Sequence, residues 1–482
     1  MLEDIMRERE KKLTRYEGKI SAYPATVKKT SRIKDVVSGF SKMAAAKRKI
    51  SLCGRIFSWR DQGKIIFADV RDECGKIQAV LKIGETDNVD FLKETVDAGD
   101  FVEVTGTLFT TKRGEKSILA KKFRVISKSL RPIPSSWYGI EDAEIKFRKR
   151  YLELLIDDDL KEVFRKKRVF WDEMREFLKE NGFFEVEMPV FEAIPGGAEA
   201  EPFVTHHNAL DRDFYLRISL ELPLKKMLVA GFDSVFEIGR IFRNEGIDKE
   251  HLQDYTQMEC YRSYWDYRDM MKFVEAMYKR VIKKTFGMLS FDRDGKKISW
   301  SGKWPEVDYY EIFLKKTGLD LNSASKKDLA RKALELGAKP EVSFGRGRLI
   351  DLVYKKAIRP GLVAPCFLVN PPVDVEPLAK RSPTDQSRVE RFQVLAFGTE
   401  LGKGFSELND PRDQRARFEE QMKLRAEGDA EAHRIDDDFL EALEYGMPPA
   451  AGFGVSERLF SALANKPVRE TVIFPLVREE TK

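Results

Sequence analysis

Hydrophobic and polar positions follow two different periods along this chain. Between residues 49 and 129 they alternate in five short runs, which predicts strands with one buried face. Between residues 160 and 180 the apolar positions recur at helical spacing, and Asn181-Gly182 supplies a stop signal. Residues 1–20 alternate acidic and basic side chains around few apolar ones, which indicates a solvated helix. The chain is therefore expected to contain a strand-rich region followed by a mixed α and β region.

The strand-rich region has the element order of a small barrel. Its runs are ISLCGRIFSW, KIIFADVRD, KIQAVLKI, DFVEVTGTLFTT and SILAKKFRVIS, and a short helical pattern near residues 89–98 separates the third from the fourth. Five strands with a helix after the third are typical of an OB-fold, a barrel whose open face binds oligonucleotides. Residues 26–49 are rich in lysine and arginine, which is compatible with a solvated linker and equally with contact to a nucleic-acid backbone.

Proline spacing marks the end of the barrel. LRPIPSSW, which begins at residue 130, predicts a stiff linker. The expected organisation is a helical and basic extension (1–48), the barrel (49–130), a linker (131–150) and a mixed region (151–482). Within the mixed region, FFEVEMPVF predicts a strand, the insert at about 268–360 predicts helical scaffold, and an apolar strand is expected after Arg469. The expected fold class is α+β.

Composition narrows the class of protein. With 42% hydrophobic and 34% charged residues, the chain resembles a soluble globular protein, and its net charge of +6 permits a polyanionic partner. No apolar run is long enough to span a bilayer, and the N-terminus lacks the apolar segment of a signal peptide. Four widely separated cysteines without a CxxC pair argue against structural zinc and favour reduced thiols in the cytoplasm.

The stretch from Phe236 to Tyr267 carries the strongest chemical signal. Two apolar flanks surround a polar loop, which predicts two antiparallel strands joined by a long connection. On the first strand, Arg243 can fork onto a phosphate or carboxylate, and Glu245 two residues later points to the same face. Tyr255 offers a flat surface for a planar ring. This combination predicts a nucleotide site without a glycine-rich phosphate loop.

Carboxylates elsewhere add to this site. Glu400 and Glu407 are seven residues apart around a Gly-x-Gly step. Carboxylates in a nucleotide enzyme usually hold Mg²⁺ or a cationic substrate. Glu221 stands at a strand-to-helix transition, where a buried carboxylate needs a cationic partner.

These segments occur in the order of the motifs of a known family. FRNEG followed by YTQME, within residues 236–267, resembles motif 2 of the class II aminoacyl-tRNA synthetases. The helix and strand at about 160–192 resemble motif 1. GFGVSERLF, in which Arg458 opens a helix, resembles motif 3 (about 446–478). PGGAEAEPFVTHHN is similar to the PGG-x(5)-FxTHHN string of the subclass IIb lysyl-tRNA synthetases, and the resemblance covers nearly the whole chain.

The resemblance implies an ATP site with magnesium. Arg243 would hold the α-phosphate and Arg458 the γ-phosphate, which makes these two the catalytic residues. Glu245 would accept a hydrogen bond from the adenine amino group, and Tyr255 would stack on the ring. The remaining implied contacts are His251 beside the ATP and the metal positions Glu400 and Gln393.

The resemblance also implies an amino-acid site. Glu221 would take the α-amino group of lysine, and Glu407, with Tyr261 as a hydrogen-bond partner, would take the ε-ammonium group. An ammonium head on an apolar stem needs such a combination of partners. The implied lysine-binding set is Gly197, Glu221, Arg243, Glu259, Tyr261, Lys403, Phe405 and Glu407.

On the barrel, Arg60, Phe67 and Gln78 match positions that the family uses on the anticodon. A phenyl ring can stack on an unpaired base, and an amide can read its edge. The implied protein is a cytoplasmic homodimer that activates lysine with ATP as lysyl-adenylate and transfers it to the 3′ end of tRNA(Lys).

Several positions depart from the family pattern. Gln393 replaces a magnesium-binding glutamate, Lys403 replaces an asparagine that touches the substrate carboxylate, and Leu252 replaces an asparagine beside the ATP. Lys122 replaces a glutamate in the last barrel strand, and Glu201 replaces an arginine. Motif 3 is one residue shorter than usual.

Three alternatives remain open at this point. An aspartate or asparagine synthetase shares the barrel and the motifs, although Glu407 and Tyr261 suit an amine better than an acid. A tRNA-binding protein with a decayed catalytic site would account for Gln393 and Leu252. A ligase that loads lysine onto a protein would resemble the catalytic region but would lack the barrel.

Overall fold

The chain divides into two compact units, residues 1–141 and 142–482. The computed structural model describes residues 2–134, 143–246, 251–428 and 432–477. The central part of the predicted linker and four residues of the motif 2 loop therefore lie outside the described residues.

The first unit is built on a closed barrel with the strand order β1-β2-β3-β5-β4. Its helices are α1 (Leu2–Glu17), α2 (Ile33–Ser38), α3 (Phe40–Ala45) and α4 (Val89–Thr95). Its strands are β1 (Lys49–Asp61), β2 (Ile65–Arg71), β3 (Lys76–Lys82), β4 (Phe101–Thr110) and β5 (Lys116–Ser127). The five predicted strands, the helix after the third and the OB-fold are confirmed.

The predicted N-terminal helix is confirmed as α1, and most of its residues are exposed. The segment after it packs against the barrel, so the solvated-linker alternative for residues 26–49 is wrong. Tyr16, Ile33, Val36 and Phe40 belong to the barrel core. The Tyr16 hydroxyl accepts a hydrogen bond of 2.8 Å from the backbone N–H of Val125. These apolar residues are too few and too widely spaced to produce a periodic pattern in the sequence, yet each fills a place in the core.

The second unit contains an eight-stranded sheet. Its helices are α5 (Ala143–Arg148), α6 (Arg150–Ile156), α7 (Asp158–Glu180), α8 (Glu221–Val229), α9 (Tyr267–Phe286), α10 (Tyr309–Thr317), α11 (Lys326–Glu335), α12 (Arg346–Ala357), α13 (Pro411–Ala426), α14 (Asp437–Glu444) and α15 (Arg458–Ala464). Its strands are β6 (Phe184–Glu185), β7 (Phe191–Glu192), β8 (Val204–His207), β9 (Arg212–Leu216), β10 (Ser234–Phe242), β11 (Asp254–Ser263), β12 (Ser290–Arg293), β13 (Lys296–Ser299), β14 (Glu306–Asp308), β15 (Cys366–Val369), β16 (Arg391–Ala396), β17 (Thr399–Ser406) and β18 (Ala450–Ser456).

The sheet has the order β14-β15-β16-β17-β18-β11-β10-β6. Its central strands are antiparallel, as predicted, and only the two outer pairs, β14 with β15 and β6 with β10, are parallel. Apolar residues of α7, α9 and α15 pack on one face, and those of α8, α13 and α14 pack on the other. Helices α10, α11 and α12 form a smaller core at the β15–β16 end.

The strand predicted for FFEVEMPVF is broken into the two-residue strands β6 and β7. Pro189 has no N–H to donate to a ladder. The backbone N–H of Val186 reaches the Phe236 carbonyl at 2.9 Å, whereas that of Met188 turns to the Glu237 carboxylate at 2.8 Å. The segment therefore leaves the sheet after one short pairing.

The apolar strand predicted after Arg469 is also wrong. A short 3₁₀ turn spans residues 468–471, and the described residues that follow, to 477, contain no strand. The Arg150 guanidinium donates to the carbonyls of Glu470 (2.8 Å) and Val472 (3.3 Å). A side chain thus satisfies backbone acceptors that a neighbouring strand would otherwise satisfy.

Helix α9 is the longest element of the main core after α7, and its ends have clear causes. Asp266 caps its first turn by accepting from the backbone N–H groups of Arg268 (2.8 Å) and Asp269 (3.0 Å). Gly287, at a φ of 74°, ends it in the left-handed conformation. No helix in the described part of the chain is both long and apolar enough to traverse a bilayer.

Asp266→Ala should lower the free energy of unfolding by about 1 kcal/mol, because two N–H groups of the first turn lose their acceptor. Urea unfolding followed by circular dichroism measures the change. The exposed Lys272→Ala on the same helix is the control, with an expected change within about 0.5 kcal/mol. Equal effects would contradict the capping role.

Candidate active site

A cavity of about 650 Å³ opens on the face of the sheet that carries α8. Every residue predicted to bind ATP, lysine or metal lines it: Gly197, Glu221, Arg243, Glu245, His251, Tyr255, Glu259, Tyr261, Gln393, Glu400, Lys403, Phe405, Glu407 and Arg458. These residues come from α8 and α15, from the strands β11, β16 and β17, and from the loops beside them. The fold therefore brings the predicted set together, although its members are spread over more than 250 residues of the sequence.

At one end of the cavity a lysine of the chain lies between two carboxylates. The Lys225 ammonium is 2.7 Å from Glu221 and also contacts Glu407. Because Lys225 follows Glu221 by four residues on α8, the two share a face of the helix. The ammonium lies 5.4 Å from the ring centre of Phe405, and Lys225 has no solvent-exposed surface.

This cluster has more acid than base. Burial raises the pKa of Glu221 to about 7, with the nearby Lys225 acting against the rise. Burial also raises the pKa of Glu407 well above its ordinary value, again against the attraction of Lys225. Burial disfavours the charged form of Lys225, but the two carboxylates outweigh it and raise its pKa. The raised pKa values favour a proton on one of the two acids when no ligand is bound, and a second ammonium would take the place of that proton.

Glu259 is satisfied by the protein itself. It accepts from the Ser219 hydroxyl (2.9 Å), the Leu220 backbone N–H (3.0 Å) and the Tyr261 hydroxyl (2.8 Å). Its contacts therefore fix the segment that leads into α8 and orient the Tyr261 ring. By contrast, neither oxygen of the Glu407 carboxylate has a hydrogen-bond donor of good geometry among the described residues.

Two glycines allow this close arrangement. A Cβ at Gly452 on β18 would overlap the Glu407 carboxylate and the Tyr261 ring. Gly197 has a φ of 84°, and a Cβ there would come within 2.9 Å of the Ser219 hydroxyl. A side chain at either position would therefore need space that these neighbouring groups already occupy.

The antiparallel hairpin of β10 and β11 positions the predicted nucleotide residues. Arg243 and Glu245 follow the end of β10 and do not lie on it, which corrects the expectation of a strand position. The Arg243 guanidinium donates to the Ile218 carbonyl at 3.2 Å and lies 5.7 Å from the Tyr255 ring centre. The Gln253 side chain donates to the carbonyls of Glu245 (3.3 Å) and Gly246 (3.1 Å), which holds the turn.

A single carboxylate marks the predicted metal position. Gln393 on β16 donates its amide N–H to Glu400 at 2.6 Å. Among the described residues no three His, Cys, Asp or Glu side chains form a metal-binding cluster. One carboxylate beside an amide still fits Mg²⁺ that takes most of its ligands from phosphates and water. It does not suit an ion held by protein ligands alone.

The turn before α15 is held from two sides. Glu457, which is almost fully buried, contacts the Lys167 ammonium of α7 and accepts from the Thr256 backbone N–H at 3.3 Å. Arg458 is the first residue of α15 and lines the cavity, as predicted. The short motif 3 therefore still brings this arginine to the site.

Sequence reasoning missed part of the cavity wall. The predicted scaffold insert contributes Tyr309, Arg348, Asp351, Tyr354, Lys355 and Arg359. Three of these are charged residues on α12 at spacings of three and four, a one-sided pattern that was available in the sequence. Glu376 and Arg391 of the wall were also missed, as was Lys225, which is buried behind it. Lys225 had a usable signal, because it lies one helical turn after Glu221.

On the barrel, the three residues predicted to contact the anticodon share its outer face. Arg60 on β1 is directly opposite Phe67 on β2. Gln78 on β3 is opposite Asp69, which lies two residues after Phe67 and therefore on the same face. The Ser117 hydroxyl donates to the Gln78 side-chain oxygen at 3.1 Å. Their role in RNA contact stays a prediction.

Lys225→Met should lower the free energy of unfolding by about 3–5 kcal/mol, because it leaves Glu221 and Glu407 buried without their cation. Urea denaturation at neutral pH measures the loss. The neighbouring Lys226→Met is the matched control, since Lys226 pairs with the exposed Asp438 and should cost about 1 kcal/mol or less. Equal losses would contradict the buried ion cluster.

Comparison with known proteins agrees with this geometry. Residues 142–478 match the family described as tRNA synthetases class II (D, K and N). Residues 50–126 match the OB-fold nucleic acid binding domain.

Among curated relatives, the chain is similar to proteins named Lysine--tRNA ligase. The protein of Pelotomaculum thermopropionicum is 39% identical over 99% of this chain and 95% of its own length. That of Thermotoga maritima is 41% identical over 95% and 93% of the two chains. That of Roseiflexus castenholzii is 39% identical over 99% of both.

Proposed function

The chain belongs to the class II tRNA synthetases of the D, K and N group, and from this premise we propose that it is a lysine--tRNA ligase. The observation that carries the proposal is the buried acidic end of the cavity. Glu221 and Glu407 share one protein ammonium, and the Glu407 carboxylate lacks a well-aligned donor among the described residues. The names of the similar proteins agree with this choice.

A second ammonium completes the charge balance of this end of the cavity. The ε-ammonium of a bound lysine would donate to Glu407, and Phe405 and the Tyr261 ring would pack on its aliphatic stem. An aspartate side chain in the same place would add a third negative charge to Glu221 and Glu407. Buried like charges are strongly disfavoured, so the cavity selects against the acidic substrate of a sister enzyme.

The proposed reaction proceeds in two steps. The lysine carboxylate attacks the α-phosphorus of ATP, which gives lysyl-adenylate and pyrophosphate. A ribose hydroxyl at the 3′ end of tRNA(Lys) then attacks the lysyl carbonyl, and AMP leaves. Neither step requires a protein nucleophile, so positioning and charge neutralisation carry the catalysis.

Each wall of the cavity has a part in the first step. Arg243 would hold the α-phosphate while negative charge moves through it, and Arg458 would hold the γ-phosphate. Tyr255 would stack on adenine beside Glu245. Glu400, with Gln393 beside it, would hold Mg²⁺ together with the phosphates, and the ion supplies further neutralisation of their charge.

The proposal extends to the partners of such an enzyme. Arg60, Phe67 and Gln78 on the outer barrel face would meet the anticodon. Assembly as a homodimer is supported by exposed aromatic side chains at Phe184 on β6 and Phe191 on β7, since exposed apolar groups of this kind mark interaction surfaces. A cytoplasmic location follows from the use of tRNA. Sedimentation analysis tests the dimer.

Lysine-dependent ATP–pyrophosphate exchange tests the proposal through paired variants. Arg243→Ala should nearly abolish exchange, because the charge-developing phosphate loses its bidentate partner. Arg240→Ala is the matched control, because Arg240 pairs with Asp254 and does not line the cavity. Normal exchange by Arg243→Ala would refute the assigned role.

Glu407→Gln should weaken the binding of lysine by about 1.5–3 kcal/mol, which is the strength of a charge-assisted hydrogen bond. The binding of ATP should stay nearly unchanged. The KM values for the two substrates in the exchange assay separate these effects. If the binding of lysine and of ATP weakened equally, the assignment of Glu407 to the amino-acid site would be wrong.

The affinity for lysine should rise as the pH increases through about 7. The pKa of Glu221 is raised to about 7 by burial, so below that pH the carboxyl group carries a proton and cannot balance the incoming ammonium. Calorimetric titration with lysine between about pH 6 and pH 8 measures the slope. Glu221→Gln should bind lysine more weakly and reduce the slope, although the raised pKa of Glu407 keeps part of it. An unchanged slope would exclude Glu221 as a source.

A further inference from the structure

A buried carboxylate that no sequence motif identified holds two cations in the middle of the cavity. Glu376 follows a short turn of residues 373–375 and is 4% exposed. Its carboxylate is 2.9 Å from the Lys403 ammonium and 3.4 Å from the Arg391 guanidinium. Arg391 is also buried, whereas 39% of the Lys403 side chain is accessible. Lys403 is thus the member of this trio that a ligand in the cavity can reach.

The backbone around Glu376 is fixed from behind. The Arg417 guanidinium on α13 donates to the carbonyls of Glu376 (3.5 Å) and Pro377 (3.5 Å) and contacts Asp413 at 2.9 Å. Arg417 is itself buried. Glu376 therefore presents its carboxylate from a rigid support, which is what a residue that orients another side chain requires.

Lys403 lies between the two halves of the site. Along β17, Glu400 stands at the predicted phosphate end, Lys403 follows, and Phe405 stands at the acidic end, with Glu407 just after the strand. Lys403 and Phe405 are two residues apart and share a face of the strand. The position of Lys403 corresponds to the place where the substrate carboxylate would meet the α-phosphate.

The trio has a net positive charge, because two cations share one carboxylate. Burial disfavours the ammonium form of Lys403, but Glu376 outweighs it and raises the pKa of Lys403. Glu221 acts on Lys403 in the same direction. Without Glu376, the ammonium would therefore be drawn toward Glu221, the proposed partner of the substrate α-amino group.

We propose that Lys403 is an ionic clamp for the substrate carboxylate and that Glu376 is the positioning residue that aims it. This inference deepens the proposed function and rests on it. The clamp makes the α-carboxylate a strong determinant of specificity, since a charged donor contributes about twice as much as a neutral amide donor. Glu376 keeps the clamp away from Glu221, so the substrate ammonium does not compete with a protein lysine.

Binding of lysine is compared with binding of cadaverine, the same diamine without the carboxylate, by calorimetry in the presence of a non-hydrolysable ATP analogue and Mg²⁺. Lys403→Gln should raise the dissociation constant of lysine about tenfold or more and should change that of cadaverine less than about threefold. Lys403→Arg, which keeps the charge, should retain part of the preference for lysine. Lys279→Gln, a lysine paired with Glu275 on α9 outside the cavity, is the control.

Glu376 is tested in a double-mutant cycle. Glu376→Gln should weaken the binding of lysine. In the double variant it should add little to the loss caused by Lys403→Gln, because the positioning residue acts only through the clamp. Glu376→Asp, with a shorter side chain, provides a second variant if the first unfolds, and thermal unfolding checks both. Additive losses, or equal losses for lysine and cadaverine in Lys403→Gln, would overturn the proposal.

The outcome for the wild-type protein separates this inference from the proposed function. If lysine supports pyrophosphate exchange, the variants test the clamp directly. If another amino acid supports it, the lysine assignment fails, and that amino acid and its decarboxylated amine replace lysine and cadaverine in the same cycle. If no amino acid binds, both proposals are wrong.

Discussion

The charge balance of one buried cluster constrains this site more than any other interaction. Glu221 and Glu407 stand on either side of the Lys225 ammonium, and all three are removed from water. Such a cluster is costly unless its charges are matched. Lys225 balances one carboxylate, and the raised pKa values of Glu221 and Glu407 mean that a proton or a ligand cation balances the other. The same charge balance would disfavour an apolar or acidic amino acid in the proposed lysine site.

Several elements of the fold supply the residues of this cluster and the space around them. Helix α8 supplies Glu221 and Lys225 on one face, and Glu407 follows β17. Gly452 on the adjacent β18 leaves room for the carboxylate and for the Tyr261 ring. The hairpin of β10 and β11 continues from the acidic end to the predicted nucleotide end. An antiparallel sheet thus gives a rigid floor on which positive and negative regions follow one another, from Glu407 through Lys403 to Arg458.

Much of this arrangement was predictable because its signals are local. The five barrel strands alternate cleanly, the hairpin around Arg243 has polar residues between two apolar flanks, and Arg458 opens a helix as expected. The failures involve contacts distant in sequence. Tyr16 is buried by the barrel although its own segment is polar. The strand before Pro189 ends because the Met188 N–H donates to the distant Glu237 carboxylate. Glu376 meets Lys403 only through the fold, so neither spacing nor periodicity indicates the pair.

ATP–pyrophosphate exchange by the purified protein with Mg²⁺, in which each amino acid is supplied singly, is the most direct test of the central claim. An excess of buried carboxylates predicts exchange with lysine and none with aspartate or asparagine. Exchange with aspartate would contradict the account of the acidic end of the cavity. Absence of exchange with every amino acid, with and without tRNA, would contradict the account of the whole site.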